Sequence, residues 1–488
     1  MLRTSSYTIY VDLPEERDEV LLIHGFTGAY DKVSRPVARY LRSLGGKARE
    51  TPAGDAWQPR GETLETLERR GYLTTRTPEE EEALLTRIGE SLAVRERRAL
   101  PGYVFMLTYS CNLRCPYCFQ DHMRTDPSCS SLLRTMSPEV ADRIFAAMPA
   151  LEEKHGLPAE DKRARNILFF GGEPLLAANR PIVEHIARRL EQSGGGKLSA
   201  ISNGTEIDAY ADLLGPDKIE RLQITFDGPP AEHDRKRIYA DGAGSFSKIA
   251  DNVTLALDRG VRITLRMNVD RQNLAWMPEL ARAMAERKWH SYSNFTPYVA
   301  PVHAAGQDGR QELMDTWVLR KGLLDLQRKH PELRNVGNLD DALHGRLRQI
   351  FAARQNPMPG FKASFCGAYT TMYIFDAFGD MYACWEHTGD GKVRIGQVGE
   401  GGALSFNEEM ERLWRERTVF AHPVCRRCRY AFYCGGGCAN LAWRRTGNLL
   451  DNYCDAFAQR FRATAAKAYL DFASGKTPEP VQQSDCDR

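Results

Sequence analysis

The chain has 488 residues, of which 42% are hydrophobic and 27% are charged, so it is long enough for about three globular domains. Its 66 Lys and Arg residues nearly balance its 64 Asp and Glu residues, and the formal net charge of +2 gives no general reason to expect nucleic acid or an anionic membrane as a partner. Five acidic residues among the first twenty argue against a secretory signal, and no apolar run of about 18 residues could span a bilayer, so we expect a cytoplasmic protein.

Residues 1–100 contain no cysteine and are predicted to form a domain of their own. Short strands are predicted at 7–11 and 19–23, helices at 34–43 and 62–71, and a further short strand at 72–75. Ser34 is the predicted N-cap of the first helix, Pro36 lies in its first turn, and Gly71 ends the second helix. A helix, a glycine turn and a short strand in this order are typical of a winged helix.

Between residues 101 and 300 the pattern alternates between strand and helix. Strands are predicted at 103–109, 166–170, 198–203, 221–227, 261–269 and 293–299. Helices are predicted at 137–148, 179–193, 206–214, 246–259 and 275–288. Repeated βα units predict an α/β fold whose parallel sheet curls into a partial (β/α)6 barrel of the TIM type, with ligands collected at the carboxyl ends of the strands.

The last third of the chain has a different character. Residues 301–360 are predicted to form a mainly helical bridge, residues 361–474 a cysteine-rich domain with few regular signals, and residues 475–488 a disordered tail. The twelve cysteines of the chain fall mostly into two tight groups, which favours metal binding over disulfides in a large chain without a secretory signal.

The first group contains three cysteines, Cys111, Cys115 and Cys118, within eight residues. It follows the apolar, strand-like stretch 103–108, so it is predicted to form a loop at the carboxyl end of a strand. A structural zinc site would need a fourth closed ligand. Three thiolates on a four-iron cluster instead leave one iron free to bind and activate another molecule.

The spacing Cys-x3-Cys-x-aromatic-Cys, with Tyr117 as the aromatic residue, resembles the signature of radical S-adenosylmethionine (SAM) enzymes. The resemblance implies a 4Fe–4S cluster on the three cysteines and SAM bound at the open iron. In peptide-modifying members an N-terminal winged-helix domain commonly binds the leader segment of the substrate, which makes residues 1–100 a candidate peptide-recognition domain. The alternative is a docking domain or a purely structural one.

A second motif follows the next predicted strand, in the order Gly171, Gly172, Glu173 and Pro174. Glycines let the backbone approach a ligand closely, and a carboxylate accepts charge-assisted hydrogen bonds from an amino group. In the family this segment receives the methionine amine of SAM. Alone it would indicate an ordinary strand-to-loop turn, but its position after the cysteine loop favours the functional interpretation.

Two further strand ends extend the expected SAM pocket. The resemblance assigns Ser202 and Asn203 to the ribose hydroxyls of SAM. Residues 224–237 are similar to the Asp-Gly-Pro, His-Asp and Arg signature of the peptide- and protein-modifying branch, which implies that Asp227 is a catalytic candidate near the active centre. Thr225 and Arg237 are candidates for binding the carboxylate of SAM, although a solvated or salt-bridged arginine is the alternative for Arg237.

The second cysteine group resembles the SPASM extension, which holds auxiliary four-iron clusters. Its seven members are Cys366, Cys384, Cys425, Cys428, Cys434, Cys438 and Cys454. Seven thiols are too many for one tetrahedral zinc ion, so zinc and disulfides are the disfavoured alternatives.

The resemblance also implies two ligand sets. Cys425, Cys428, Cys434 and Cys454 would hold the outer auxiliary cluster, and Cys366, Cys384 and Cys438 the inner one. The inner set is one ligand short, so this cluster either has an open iron or is completed by a distant ligand. The spare thiols of Cys129 and Cys486 are expected to have no role.

One departure from the family pattern concerns the residue after Cys384. Sulfatase-maturing relatives have an aspartate there that acts as a base, whereas this chain has Trp385 followed by Glu386 and His387. Glu386 is the candidate replacement base, and a buried tryptophan beside surface charges is the alternative. The formylglycine-generating reaction is therefore disfavoured.

Together the resemblances imply a maturase that abstracts hydrogen from a residue of a ribosomally made precursor peptide and forms a cross-link or another oxidised product. The expected cofactors are SAM, a 4Fe–4S cluster at the SAM site and two auxiliary iron–sulfur clusters. The expected partners are a precursor peptide with a leader and a flavodoxin or ferredoxin as electron donor. The alternatives are a sulfatase-maturase-like enzyme, a dehydrogenase of a small alcohol or sugar, and a non-catalytic iron–sulfur carrier or scaffold.

Overall fold

The computed structural model describes residues 2–476 apart from 15, 17, 46–56, 161, 303–312, 354–359 and 369. Nearly all of the predicted disordered tail, including Cys486, lies outside the described residues. The chain forms two compact units. The first joins Met1–Ala99, Asp340–Thr370 and Leu413–Arg488, and the second joins Leu100–Leu339 and Thr371–Arg412. Within the described part of the chain, no helix is both long enough and apolar enough to cross a bilayer.

The strands and α-helices are numbered in chain order. The strands are β1 Arg3–Thr4, β2 Thr8–Asp12, β3 Glu19–His24, β4 Tyr30–Ser34, β5 Leu73–Thr74, β6 Gly102–Met106, β7 Arg165–Phe170, β8 Gly196–Ser202, β9 Ile219–Phe226, β10 Arg262–Val269, β11 Phe295–Pro301, β12 Gly337–Asn338, β13 Met372–Phe375, β14 Asp380–Tyr382, β15 Gly396–Val398 and β16 Leu404–Phe406. The α-helices are α1 Arg35–Ser43, α2 Gly61–Arg69, α3 Pro78–Arg97, α4 Asp121–Thr125, α5 Pro138–Lys154, α6 Arg180–Gln192, α7 Pro230–Lys236, α8 Phe246–Asp258, α9 Met277–Glu286, α10 Thr316–Lys329, α11 Asp341–Ala353, α12 Glu408–Glu416, α13 Pro423–Arg426, α14 Ala431–Cys434, α15 Ala439–Thr446 and α16 Phe457–Ala473.

The second unit is built on one 11-stranded sheet, in the order β12-β11-β10-β9-β8-β7-β6-β13-β14-β15-β16. Strands β6 to β11 pair in parallel with their neighbours in sequence order. Four consecutive residues of β6 are buried, as expected of a parallel strand covered on both faces. The predicted partial barrel of six parallel strands is therefore confirmed. The predicted helix at 206–214 is a 3₁₀ helix, Ile207–Leu213.

The cysteine-rich segment contributes strands to this same sheet. β13 pairs in parallel with β6, and β14, β15 and β16 follow as antiparallel strands. The sequence predicts few regular elements here, because each of these strands has only three or four residues. Such short strands carry too few residues to show an alternating pattern, and the edge of the barrel sheet determines their conformation.

The first unit contains a three-stranded antiparallel sheet, β2-β3-β4, whose central strand β3 is buried on both faces. Val20 and Leu22 of β3 lie in a cluster with residues of α1 and α2. Leu21 and Ile23, on the opposite face, lie in a cluster with Phe432, Phe461 and other residues from the C-terminal part of the chain. The predicted separate domain of residues 1–100 therefore shares its core with distant segments, and the predicted bridge 301–360 is divided between the two units.

Candidate functional site

The cysteine loop follows β6 and is held in place by backbone hydrogen bonds from the segment after α7. The Arg114 N–H donates to the Ile238 carbonyl oxygen at 2.8 Å, and the Ala240 N–H donates to the Asn112 carbonyl oxygen at 3.1 Å. Cys115 is buried, whereas Cys111 and Cys118 are partly exposed. The loop therefore lies at the carboxyl edge of the parallel sheet, where the sequence predicts it.

The two glycines after β7 allow the backbone to pass directly over the residues that precede Cys111. A Cβ atom on Gly172 would lie 2.2 Å from the carbonyl oxygen of Ser110, and one on Gly171, whose φ is +116°, would lie 2.4 Å from that of Thr108. The Gly172 and Glu173 N–H groups donate to these same two carbonyl oxygens, each at 2.8 Å. Glycine is required here because the close approach leaves no room for a side chain.

The Glu173 side chain is buried and connects the ends of β7 and β8. Its carboxylate accepts hydrogen bonds from the Leu175 N–H at 2.9 Å, the Ser202 hydroxyl at 2.8 Å and the Asn203 N–H at 2.5 Å. Burial raises the pKa of Glu173 to about 7, and these hydrogen bonds oppose the shift. The structure thus brings Glu173, Ser202 and Asn203 together, with Pro174 in the turn that follows, where its carbonyl oxygen accepts a hydrogen bond from Asn179.

A second buried network surrounds the hydroxyl group of Tyr117. This hydroxyl donates to Asp227 Oδ2 at 2.6 Å and accepts hydrogen bonds from Arg237 Nη1 at 2.9 Å and Asn268 Nδ2 at 3.4 Å. Asp227 Oδ1 and Arg237 Nε are buried and have no partner among the described residues. Burial raises the pKa of Asp227, and the Arg237 guanidinium opposes this effect. Thr225, buried on β9, pairs in register with Arg266 of β10.

The residues around the cysteine loop fit the cofactors that the sequence implies. Three thiols lie at the sheet edge, and one unpartnered guanidinium nitrogen and one unpartnered carboxylate oxygen are buried in the adjoining network. Within the described ranges, no three side chains of His, Cys, Asp or Glu converge on a point that could hold a single metal ion. In an iron–sulfur cubane the thiolates bind different irons, so they need not share one point.

In the first unit, four of the C-terminal cysteines are neighbours. Burial raises the pKa of the Cys425 thiol to about 12, and the nearby thiols of Cys434, Cys428 and Cys454 add to the shift. These four are the predicted outer set. Of the predicted inner set, Cys366 and Cys438 belong to the first unit and Cys384 to the second.

Three consecutive glycines, Gly435, Gly436 and Gly437, all have positive φ angles between 78° and 89°. A Cβ atom on Gly435 would lie 2.5 Å from the Ser364 carbonyl oxygen, and one on Gly437 would lie 1.7 Å from the Tyr453 carbonyl oxygen. Because Ser364 and Tyr453 lie just before Cys366 and Cys454, the glycines let the Cys434–Cys438 loop pack against both ligand segments.

The candidate base Glu386 lies in a 3₁₀ helix, Trp385–His387, directly after Cys384. Glu386 is partly exposed, as is Trp385, whose ring lies 5.5 Å from that of Phe170 on β7. Trp385 therefore contacts the barrel sheet without being fully buried, and the role of Glu386 as a base stays a prediction.

Sequence reasoning missed several polar residues of the site. Arg124 on α4 donates to the Cys118 sulfur at 3.2 Å, and Asn112 accepts a hydrogen bond from the side chain of Asn203 at 2.8 Å. Asp376, directly after β13, accepts a hydrogen bond from the Tyr109 hydroxyl at 2.9 Å. None of these three residues lies in a recognisable sequence motif. The position of Asn112 directly after Cys111 is the signal by which the sequence indicates one of them.

Residues 105–284 match the model of the Radical SAM superfamily. This segment of the chain is therefore similar to the radical SAM superfamily. The matched segment runs from β6 to α9 and contains the cysteine loop, the Gly-Gly-Glu-Pro turn and the Tyr117 network. The match to this family of enzymes implies SAM and a 4Fe–4S cluster as cofactors. The sequence predicts the same two cofactors.

Two curated proteins illustrate how far the similarity extends. The cysteine-type anaerobic sulfatase-maturating enzyme of Clostridium perfringens (strain 13 / Type A) is 23% identical over 370 residues, which cover 72% of this chain and 92% of that protein. The GTP 3′,8-cyclase of Rhizobium etli (strain CIAT 652) is 28% identical over 189 residues, 38% of this chain. The chain spans about half the length of that cyclase, 48%.

Among solved structures, native anSMEcpe with bound AdoMet shares the fold. The TM-score is 0.58 at 17% identity, and the match covers 78% of this chain and 100% of that chain. The same protein with bound AdoMet and Cp18Cys peptide gives a TM-score of 0.55 at 17% identity, covering 77% of this chain and 99% of that chain.

Proposed function

We propose that this protein is a radical SAM maturase that abstracts hydrogen from a residue of a ribosomally made precursor peptide, giving a cross-link or another oxidative modification. The radical part rests on the Radical SAM match over residues 105–284 and on the cysteine loop within it. The proposal that the substrate is a peptide rests on the N-terminal sheet, whose edge strand β4 has one unpaired side within the described part of the chain.

Cys111, Cys115 and Cys118 would hold the 4Fe–4S cluster, and SAM on the reduced cluster supplies a 5′-deoxyadenosyl radical that can take hydrogen from an unactivated carbon. The residues of the chain would bind SAM and orient it. The unpartnered Nε of Arg237 is suited to the carboxylate of SAM, and the backbone of Gly171 and Gly172 permits close approach. Ser202 and Asn203 line the neighbouring strand end for the ribose hydroxyls.

The C-terminal cysteines would hold two auxiliary iron–sulfur clusters. Cys425, Cys428, Cys434 and Cys454 give the outer cluster four thiolates that are already neighbours. Cys366 and Cys438 of the first unit would contribute two thiolates to the inner cluster, and Cys384 is its third predicted ligand. Hydrogen abstraction leaves a substrate radical, and completing a two-electron oxidation requires an acceptor for one further electron, which an auxiliary cluster can be.

Among the strands that the structure describes, β4 pairs only with β3, so its outer side is the open edge of the N-terminal sheet. The His24 N–H donates to the Ala29 carbonyl oxygen and the Arg35 N–H to that of Asp18. Because hydrogen-bonded and non-hydrogen-bonded pairs alternate in an antiparallel ladder, Asp31 and Val33 face β3, whereas Lys32 presents its N–H and C=O groups outward. An extended leader peptide could add there as a fourth strand.

A sulfatase-maturase-like reaction is the second candidate, because the Clostridium perfringens enzyme aligns over 72% of this chain. Trp385 argues against it, since it occupies the position of the aspartate base in that family and packs against Phe170. Formation of formylglycine on a sulfatase peptide would favour this candidate over the first.

SAM cleavage is tested by reducing the anaerobically reconstituted protein with dithionite in the presence of SAM and measuring 5′-deoxyadenosine. We expect product from the wild type and from Cys129→Ala, because Cys129 lies outside the three predicted ligand sets, and none from Cys115→Ala. A wild type that never forms 5′-deoxyadenosine would leave only the non-catalytic carrier. Flavodoxin or ferredoxin, the proposed cellular donors, should replace dithionite.

The peptide substrate is tested by co-expressing the protein with a short peptide encoded beside its gene and measuring the mass of that peptide. Lys32→Pro removes an outward-facing N–H without breaking the β3–β4 ladder, so it should abolish leader binding and the mass change. Lys32→Ala, which keeps the backbone N–H, is the matched control and should retain both. Equal modification with the two variants would exclude leader docking on β4.

A further inference from the structure

Arg417, directly after α12, lies where segments of the two proposed auxiliary ligand sets meet. Its Nη1 donates to the carbonyl oxygens of Leu449 at 2.8 Å and Asp451 at 2.6 Å, and its Nη2 donates to that of Gly437 at 2.8 Å. Gly437 directly precedes Cys438, of the proposed inner set, and Asp451 lies three residues before Cys454, of the outer set. One guanidinium therefore joins the two segments.

The backbone beside Arg417 reaches a third ligand segment. The Val419 N–H donates to the carbonyl oxygen of Ala363 at 2.9 Å, three residues before Cys366. Displacement of Arg417 would therefore disturb the segments that carry Cys366, Cys438 and Cys454. All three segments belong to the first unit.

The Arg417 guanidinium forms no ion pair with a carboxylate of the described residues. Within the described ranges, no Asp or Glu side chain lies within ion-pair distance of this partly buried guanidinium. Burial lowers the pKa of Arg417, and the thiols of Cys438, Cys366 and Cys425 are the foremost groups that oppose this shift. A cation withdrawn from water needs negative charge nearby, and deprotonated cysteine ligands, followed by the weaker effect of the Asp451 carboxylate, are in place to supply it.

We propose that Arg417 is a positioning residue that serves both auxiliary sites: it fixes their ligand segments and supplies the positive charge that raises the reduction potential of the clusters they hold. This inference rests on the auxiliary clusters of the proposed function. The potential of an iron–sulfur cluster depends on net charge, hydrogen bonding and solvent exposure around it. A nearby cation favours the more negative, reduced state, so removing it should make the potential more negative.

The test compares Arg417→Gln, which removes the charge, with Arg417→Lys, which keeps the charge but cannot form the three-carbonyl fork. Both are made in a protein whose Cys111, Cys115 and Cys118 are replaced by Ala, so that only auxiliary signals remain. The readouts are iron and sulfide per chain and the midpoint potential from an electron paramagnetic resonance redox titration. Arg348→Gln is the matched control, because Arg348 is also buried in the first unit and donates to a backbone carbonyl, that of Lys476.

We expect Arg417→Gln to shift an auxiliary midpoint to more negative values, and Arg417→Lys and Arg348→Gln to stay near the unsubstituted potential. A Gln variant that retains its iron and its potential would overturn the inference. Equal loss of iron from the Gln and Lys variants, with retention in Arg348→Gln, would also overturn it, because the role would then be purely structural. A parent protein without auxiliary iron would instead contradict the cluster assignment in the proposed function.

Discussion

The hydroxyl group of Tyr117 links the cysteine loop to the interior of the barrel. Asp227 follows β9, Arg237 follows α7 and Asn268 lies on β10, and all three contact this single oxygen. The sequence motif requires only an aromatic residue at this position. The structure shows that the phenol also fixes the carboxylate and the guanidinium that border the proposed SAM site.

Tyr117→Phe should therefore weaken SAM binding. The variant leaves Asp227 Oδ2 without its donor and Arg237 Nη1 without an acceptor, and a hydrogen bond to a charged group contributes roughly 1.5–3 kcal/mol, so we expect the dissociation constant for SAM to rise about tenfold or more. Isothermal titration of the reconstituted protein measures it, with iron content as the check on the cluster.

Tyr72→Phe is the control for that substitution, since Tyr72 is a buried phenol that donates to a carboxylate, Asp31, at 2.8 Å in the other unit. It should leave SAM affinity unchanged. Equal SAM affinity for wild type and Tyr117→Phe at equal iron content would show that the network does not position SAM.

His24, at the end of β3, is held uncharged inside the first unit. Its Nδ1 accepts hydrogen bonds from the N–H groups of Phe26 and Thr27, so the ring proton lies on Nε2, 3.0 Å from the Ser5 hydroxyl oxygen, and this hydroxyl donates to Glu81. Burial lowers the pKa of His24 to about 3. The folded state therefore does not take up the proton that the unfolded state binds below its ordinary pKa of 6.5.

Stability of the first unit should consequently fall as the pH drops below 6.5, with a loss of about 2 kcal/mol between pH 6.5 and 5. Thermal unfolding midpoints across this range measure it. His24→Gln should be less stable than the wild type at pH 7.5 but should show a shallower decline toward pH 5. A wild-type slope in His24→Gln would assign the decline to other groups.

At the scale of elements, the glycine triplet before Cys438 shows how a backbone conformation brings ligand segments together. Gly437→Ala places a Cβ atom against the Tyr453 carbonyl oxygen in addition to the cost of a positive φ. Gly447→Ala, at the end of α15, carries the same kind of φ cost at +73° but meets no atom within 4 Å.

We expect Gly437→Ala to lower the iron content per chain and Gly447→Ala to retain it. Iron and sulfide analysis of both variants after identical reconstitution measures the difference. Similar iron content in the two variants would mean that the close approach at Tyr453 is not needed for the outer cluster.

Helix α5 shows where an element departs from its sequence signals. The sequence predicts an end at residue 148, before Pro149, yet the helix continues to Lys154. Val140, Ile144, Met148 and Leu151 share a buried face, so burial on the barrel outweighs the one hydrogen bond that Pro149 cannot donate. The sequence signals therefore predict this helix correctly but place its C-terminal end too early.

At the scale of the whole molecule, the first unit is assembled from three distant parts of the chain. Within it, the Tyr433 hydroxyl donates to the His24 carbonyl oxygen at 3.2 Å, and Arg429 donates to that of Thr8 at 2.7 Å. The segments that carry the proposed outer cluster therefore pack on the N-terminal sheet.

Deleting residues 1–99 should accordingly do more than remove a peptide-binding module. It exposes the apolar cluster around Phe432 and Phe461, so we expect insoluble protein or loss of auxiliary iron. Solubility and iron content of the truncated chain measure this, with Lys32→Pro as the comparison that alters the sheet edge alone. A soluble truncated protein with full iron content would contradict the shared core.

The sequence by itself determined the partial barrel, the cysteine loop and the Gly-Gly-Glu-Pro turn, because these depend on period, on residue spacing and on glycine at close approaches. Only the tertiary structure decided that Glu173 accepts hydrogen bonds from the end of β8 and that Tyr117 joins Asp227 to Arg237. It also decided that β13 extends the barrel sheet and that the N-terminal sheet shares a core with the segments of the C-terminal cysteines. These contacts join residues far apart in the chain, and their free energy comes from burial and pairing that no local pattern records.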